Sequence, residues 1–283
     1  MRYKWVVLMF GAACMAVCTG CATQGSWLQT PDERARAVLA TNQFELLPAS
    51  PQVLAAVHAA QSKPRRLTVF IEGDGASWSR LSMPPLDPTP GKPLSLLLAV
   101  SHANAPAQVG EAVAYLGRPC QYLAPGDLAN CSASWWTLGR FGSEPLRLMN
   151  ARLDELKDQA PNAVLRLVGY SGGGAAAALL AAQRSDVACL VTVAAPLDTQ
   201  AWTLAKNVSA LSESQNPLDV AAKLRGMPMT HFSGGSDNVV PPSVNQQFMQ
   251  QAQTREVVKP GFDHDVQWLK AWPALAAASC LTD

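Results

Sequence analysis

Gly169-Tyr170-Ser171-Gly172-Gly173 stands between the apolar run Ala163 to Val168 and the Ala-rich run Ala175 to Ala182, so one serine sits where a strand gives way to a helix. A serine in that place has the setting of a nucleophile elbow. Such a turn is sharp, and the helix backbone behind the serine passes close to the strand before it. Cβ atoms at 169 and 173 would obstruct that approach, and glycine at both relieves it. The plainer alternative is a glycine-rich helix start that binds an anion or merely packs tightly.

A serine hydroxyl is a weak nucleophile until a base takes its proton and an acid orients that base. Four histidines are available. His264, in Gly261-Phe262-Asp263-His264-Asp265, follows the last expected strand and precedes the last expected helix, which puts it at the edge where strand C-termini converge. It is the candidate base. His231 falls in a short expected strand, His102 follows an expected helix, and His58 sits in an early segment read as helical, so these three are structural candidates. Asp237, in Ser233-Gly234-Gly235-Ser236-Asp237, follows the neighbouring strand and is the candidate acid, with Asp198 as the alternative. Ser171, Asp237 and His264 also keep the chain order serine, acid, histidine. Asp263 and Asp265 flank the histidine and read as solvated loop charges.

Charge developing on an attacked carbonyl requires backbone N–H donors already in place. Gly172, next after the serine, is one candidate; Asp74 or Gly75 in Glu72-Gly73-Asp74-Gly75, after an earlier strand, is the other. No His/Cys/Asp/Glu cluster has metal-ligand spacing, and no metal or cofactor is expected.

The order of elements predicts an α/β fold. Leu67 to Ile71, Ala112 to Leu116, Ala163 to Val168, Val187 to Ala194, Met229 to Phe232 and Glu256 to Lys259 read as strands. Helical segments fall at Pro31 to Ala40, Leu94 to Val100, Glu144 to Gln159, Gly172 to Gln183, Ser243 to Gln253 and from Val266 onward. Alternation of this kind means parallel βαβ winding, and near-continuous apolar strands fit a sheet covered on both faces. Two long connections, Arg118 to Ser143 and Thr199 to Met227, are expected to overhang the site, with Trp135, Trp136 and Trp202 as candidate pocket walls.

At 283 residues with 48% hydrophobic and 15% charged side chains, the chain favours one large core. Its formal charge of +1 and the lack of a Lys/Arg run make nucleic acid an unexpected partner. Arg2 and Lys4 before the apolar stretch Val6 to Val17 read as an export signal. Cys18-Thr19-Gly20-Cys21 resembles a bacterial lipobox, which would make Cys21 a lipid-anchored N-terminus on the envelope; an ordinary cleaved signal is the alternative. The expected organisation is a signal at 1–20, a tether and N-terminal extension at 21–65, and the catalytic-type domain at 66–283. Export favours disulfides. Cys120 and Cys131, close in irregular sequence, are the expected pair; Cys189 is either a buried thiol or the partner of Cys280.

Taken together, the elbow, Asp237 and His264 on alternating strands and helices resemble the α/β-hydrolase superfamily. Cys120-Gln121, Cys131, Trp135-Trp136 and Leu197-Asp198-Thr199 are similar to segments of uncharacterised bacterial α/β-hydrolase lipoproteins. The resemblance implies an eight-stranded, mostly parallel sheet with helices on both faces, and acyl transfer from an ester or lipid-like acyl substrate through a serine ester. Glu72-Gly73 departs from the His-Gly that many members carry. A thioesterase or peptidase using the same residues, and a non-catalytic envelope-binding lipoprotein, remain open.

Overall fold

Leu67, Val69 and Ile71 point to one side of a strand and Phe70 to the other, and each side finds its own apolar layer. That two-sided burial is what a central strand of a helix-covered sheet requires. The computed structural model describes residues 29–282 apart from 49, 51, 59–62, 79–82, 106–109 and 266. The expected signal at 1–20, Cys21 and most of the tether lie outside the described residues.

In chain order the elements are α1 (Pro31–Thr41), β1 (Phe44–Leu46), β2 (Ala55–His58), β3 (Arg66–Ile71), α2 (Leu94–Ala103), β4 (Glu111–Leu116), α3 (Ser143–Asp158) and β5 (Val164–Tyr170). Then come α4 (Gly172–Ala181), β6 (Val187–Val193), α5 (Thr199–Lys206), β7 (Met229–Gly234), α6 (Gln246–Ala252), β8 (Glu256–Lys259) and α7 (Gln267–Ala277). The strands form one eight-stranded sheet in the order β1-β2-β4-β3-β5-β6-β7-β8. The β1–β2 and β2–β4 pairings are antiparallel, and every pairing from β4 to β8 is parallel.

Helices α3, α4 and α6 contribute Met149, Leu153, Ala175 to Ala181 and Phe248 to the core on one face. Helices α1, α2 and α7 contribute Leu39, Leu96, Trp268 and Trp272 on the other. The expected strands and helices from Leu67 onward are present within a few residues. The expected helix from Ser243 divides into a 3₁₀ turn at Pro242–Asn245 and the shorter α6.

Two strands precede Leu67 and join the same sheet. His58, read from the sequence as helical, ends β2 and pairs with Phe44 across the antiparallel β1–β2 ladder. Its segment Val53 to His58 is a short apolar run, which periodicity cannot separate into strand or helix. The decision is made by β4, whose Ala114, Tyr115 and Leu116 face Val57, Ala56 and Ala55.

The expected Cys120–Cys131 disulfide is formed, and of the two alternatives for Cys189 it is the bond to Cys280 that is present. Cys120–Cys131 closes an 11-residue loop in the segment after β4, and Cys189–Cys280 ties β6 to the end of the chain.

Candidate active site

The elbow has the local geometry its glycines foreshadow. Ser171 is half-buried at φ 51° and ψ −127°, a left-handed backbone that L-residues adopt only at some cost, about 1 to 3 kcal/mol. Its N–H donates to the Val193 carbonyl of β6 at 2.8 Å, which holds the strained turn against the sheet. A Cβ at Gly169 would come within 2.3 Å of the Gly173 carbonyl oxygen, and one at Gly173 within 2.4 Å of the carbonyl oxygens of Ile71 and Glu72. The first glycine lets α4 fold back over β5; the second lets α4 start against the end of β3.

The loops after β7 and β8 carry the other two residues to the same place. His264 Nε2 lies 3.0 Å from Ser171 Oγ, and His264 Nδ1 lies 2.7 Å from Asp237 Oδ2. Asp237 has a fully buried side chain, and its Oδ1 accepts from the N–H groups of Val239 at 2.7 Å and Val240 at 2.8 Å. With one carboxylate oxygen committed to the backbone, the other is aimed at the imidazole. A proton on Nδ1 facing Asp237 leaves Nε2 as the acceptor facing the serine. The two loops are also held together by their backbones: Ser236 N–H donates to Phe262 O at 2.9 Å, and a Cβ on Gly234 would strike that same oxygen at 2.5 Å.

Tyr170, the residue before the serine, braces the histidine loop. Its hydroxyl is 3.1 Å from the carbonyl oxygen of His264 and 3.0 Å from Asp265 Oδ1, and its ring lies 5.3 Å from the imidazole. Burial, and then the Asp265 carboxylate, push the phenol well above its ordinary range, so it remains a hydrogen-bond donor. Asp265, expected as a solvated loop charge, is therefore a bracing partner of the elbow.

The remaining sequence candidates are placed elsewhere. Asp198 caps α5, where its Oδ1 accepts from Gln200 N–H, Ala201 N–H and Asn216 Nδ2, as an N-cap carboxylate does. His102 lies 3.3 Å from Glu111 in a buried cluster that also contains Thr68. Burial pushes His231 down to about 3, and its Nδ1 lies 2.8 Å from Thr192 Oγ1. Trp136 packs with Cys120 and Leu123 in a small core of the 118–143 segment, with half-buried Trp135 against it. Trp202 Nε1 donates to Val239 O at 2.9 Å, beside the turn that carries Asp237. The two long connections meet: Ser134 bonds Glu213, and Ser214 Oγ donates to Leu138 O at 2.7 Å.

On the candidate oxyanion side, Gly172 is the first residue of α4, so its N–H has no partner within the helix. Asp74 reaches it from the loop after β3. A Cβ on Gly172 would fall 2.0 Å from Asp74 Oδ1, so the carboxylate occupies the space where a side chain at 172 would stand. Arg118 Nη1 donates to Asp74 Oδ1 at 2.9 Å and Arg140 Nη1 to Oδ2 at 2.8 Å. Burial alone would raise the Asp74 carboxyl, but the two guanidinium groups outweigh it and hold the carboxyl below its ordinary range. Gly75 sits at φ 66° with the Pro88 carbonyl oxygen 2.1 Å from where its Cβ would be, so its glycine serves the turn.

Four residues of this neighbourhood have no place in the sequence reading of the site: Arg118, Arg140, Gln121 and, as a functional group, Glu72. Glu72 is fully buried and accepts from the N–H groups of Gly73, Ser95 and Leu96 and from the hydroxyls of Tyr115 and Tyr122. Burial raises its carboxyl, with the N–H donors opposing. The available signal is a glutamate set directly after Val69-Phe70-Ile71, since an acid continuing a buried strand must find partners. Among the described residues, no three His, Cys, Asp or Glu side chains are grouped to hold a metal ion, and no helix is long and apolar enough to cross a membrane.

No protein-family model and no curated protein matches the chain. Solved structures do. A puromycin hydrolase mutant complexed with PGG superposes with a TM-score of 0.57 at 18% identity, over 83% of this chain and 38% of that one. Est1E from Butyrivibrio proteoclasticus gives a TM-score of 0.56 at 14% identity, over 83% of this chain and 97% of that one. The esterase domain of a Rhodothermus marinus protein gives 0.53 at 16% identity, over 83% and 97% of the two chains. The chain thus spans well under half of the puromycin hydrolase and nearly all of the other two. With its strand order, its covered parallel sheet and a serine at the turn between β5 and α4, this chain has the α/β-hydrolase fold.

Proposed function

We propose that the chain is a serine hydrolase, acting on carboxylic esters through Ser171, His264 and Asp237. The observation that carries this reading is the unbroken hydrogen-bond line from Ser171 Oγ through both imidazole nitrogens to Asp237, at 3.0 and 2.7 Å, beginning at a strained serine. In the first step Ser171 Oγ attacks the ester carbonyl while His264 Nε2 takes its proton, and Asp237 stabilises the imidazolium that results. The carbonyl electron pair moves onto oxygen, where the N–H of Gly172 and an N–H from the Asp74–Gly75 peptides receive it. Losing one such donor typically costs about 2.7 to 4 kcal/mol of barrier stabilisation. His264 then returns the proton to the departing alkoxide, leaving an acyl-serine. Water, deprotonated by the same nitrogen, attacks the acyl-serine and releases the acid.

The names of similar structures, a puromycin hydrolase and an esterase domain, support an acyl-transfer reading without selecting the acyl group. The two disulfides fit an oxidising compartment, in keeping with export and anchoring of the chain to the cell envelope through Cys21.

The test is mass spectrometry of the protein after exposure to a fluorophosphonate ester, with peptide mapping and a Ser171→Ala control. A stoichiometric adduct on Ser171, absent from the control, is the expected result. It would be followed by esters and thioesters of graded chain length. A folded protein that takes no adduct would turn the reading to a non-catalytic envelope-binding protein.

A further inference from the structure

We infer that Gln121, with the Arg118–Asp74–Arg140 bridge, positions the Gly73–Asp74 peptide so that the Asp74 N–H is the second oxyanion donor. The inference rests on Ser171 being the nucleophile of a hydrolase.

Three N–H groups in the loop after β3 compete for that role. The Gly73 N–H is already given to Glu72 Oε1 at 3.0 Å. Gly75 is turned into the left-handed region at φ 66° against Pro88. For the peptide between Gly73 and Asp74, direction is fixed from outside the loop: Gln121 Nε2 donates to the Gly73 carbonyl oxygen at 2.9 Å. A peptide is planar and trans, so aiming its C=O at Gln121 sends the Asp74 N–H to the opposite side. The same bond polarises the peptide and makes that N–H the better donor.

The orientation of the Gln121 amide is itself determined. Its Oε1 accepts from the Arg118 N–H at 3.0 Å, so exchanging oxygen and nitrogen would set donor against donor and acceptor against acceptor. The side chain is buried, and it follows Cys120, which the Cys120–Cys131 disulfide fixes. Asp74 is meanwhile held by its side chain. Its carboxylate rests on the Cα of Gly172 and spans Arg118 and Arg140, both almost fully buried, so the two donor residues are packed against each other. The segment 118–141 therefore grips the oxyanion loop at a carbonyl and at a carboxylate.

The test uses the full chain and two variants, Gln121→Met, which keeps the length and loses the donor, and Asp74→Asn, which keeps the backbone and loses the bridge. Turnover of p-nitrophenyl butyrate, inhibition by an aryl trifluoromethyl ketone and Tm are measured for each. The ketone forms a serine hemiketal whose oxyanion needs the same donors. Expected is a kcat lowered about 10- to 100-fold with KM within about threefold, and ketone affinity falling in step with kcat. A merely structural role would lower Tm without a selective loss of ketone affinity, and that result overturns the inference. If Gln121→Met does not fold, Asp74→Asn decides by the same criteria. If the parent turns over and labels at Ser171 while both variants match it, this inference alone falls. If the parent neither turns over nor labels, the hydrolase reading falls and takes this inference with it.

Discussion

At Ser171 the backbone is strained, and the residues that make the strain tolerable are glycines whose Cβ positions are filled by main chain. Gly173 is one of them, because a methyl there would meet the carbonyl oxygens of Ile71, the last residue of β3, and of Glu72 just beyond it, both at 2.4 Å and both main chain. Gly173→Ala is expected to destabilise the fold by about 1 to 3 kcal/mol, the cost of overpacking a rigid site, read as a lower urea midpoint with an unchanged slope. Asp237→Asn tests a different property of one residue. The amide keeps an acceptor for Val239 and Val240, so stability should change little. It holds the imidazole in the wrong tautomer, and kcat should fall by about 10⁴. Measuring kcat beside Tm separates the two effects: a large loss of both would count against Asp237 acting through His264.

Elements differ in how well the sequence announces them. Strands β3 to β8 declare themselves, most of them through apolar runs bounded by turns, and the elbow through its glycines. Strands β1 and β2 are too short for a period to register, and their identity comes from β4, some sixty residues further on. The site divides in the same way. Ser171, Asp237 and His264 each lie just past a strand, so local sequence marks them. Arg118, Arg140 and Gln121 lie in an irregular stretch whose partner, the loop after β3, is reached only through the fold. That stretch is closed by Cys120–Cys131, and a loop of this size contributes roughly 3 kcal/mol through the unfolded chain. Replacing both cysteines with serine should lower the unfolding free energy by about that amount, measured by denaturant titration. The Asp74 bridge in the same region carries a pH signature. Its carboxyl is depressed in the folded state below the ordinary 3.8, so the stability it adds is complete above 3.8 and is lost as pH falls through the lower folded value. The Tm difference between the parent and Asp74→Asn should therefore be constant from neutrality to about pH 5 and shrink below pH 4. A difference that persisted unchanged to strongly acidic solution would mean that the bridge is not ionic.

For the whole molecule, the sheet brings to one edge what the chain keeps far apart. The ends of β3, β5, β7 and β8 deliver Asp74, Ser171, Asp237 and His264 to one place, across a sequence distance of nearly two hundred residues. The Cys189–Cys280 bond spans 91 residues of this arrangement. Asp237 and His264 lie within the covalent ring it closes, whereas Ser171 lies outside. A protease that cuts one bond anywhere inside the ring yields two fragments that still migrate as one species until a reductant is added. A nick in an exposed turn between β7 and α7 would thus leave Asp237 and His264 tethered to the molecule that carries Ser171, and the proposed hydrolysis should outlast the intact polypeptide for as long as that single sulfur link survives.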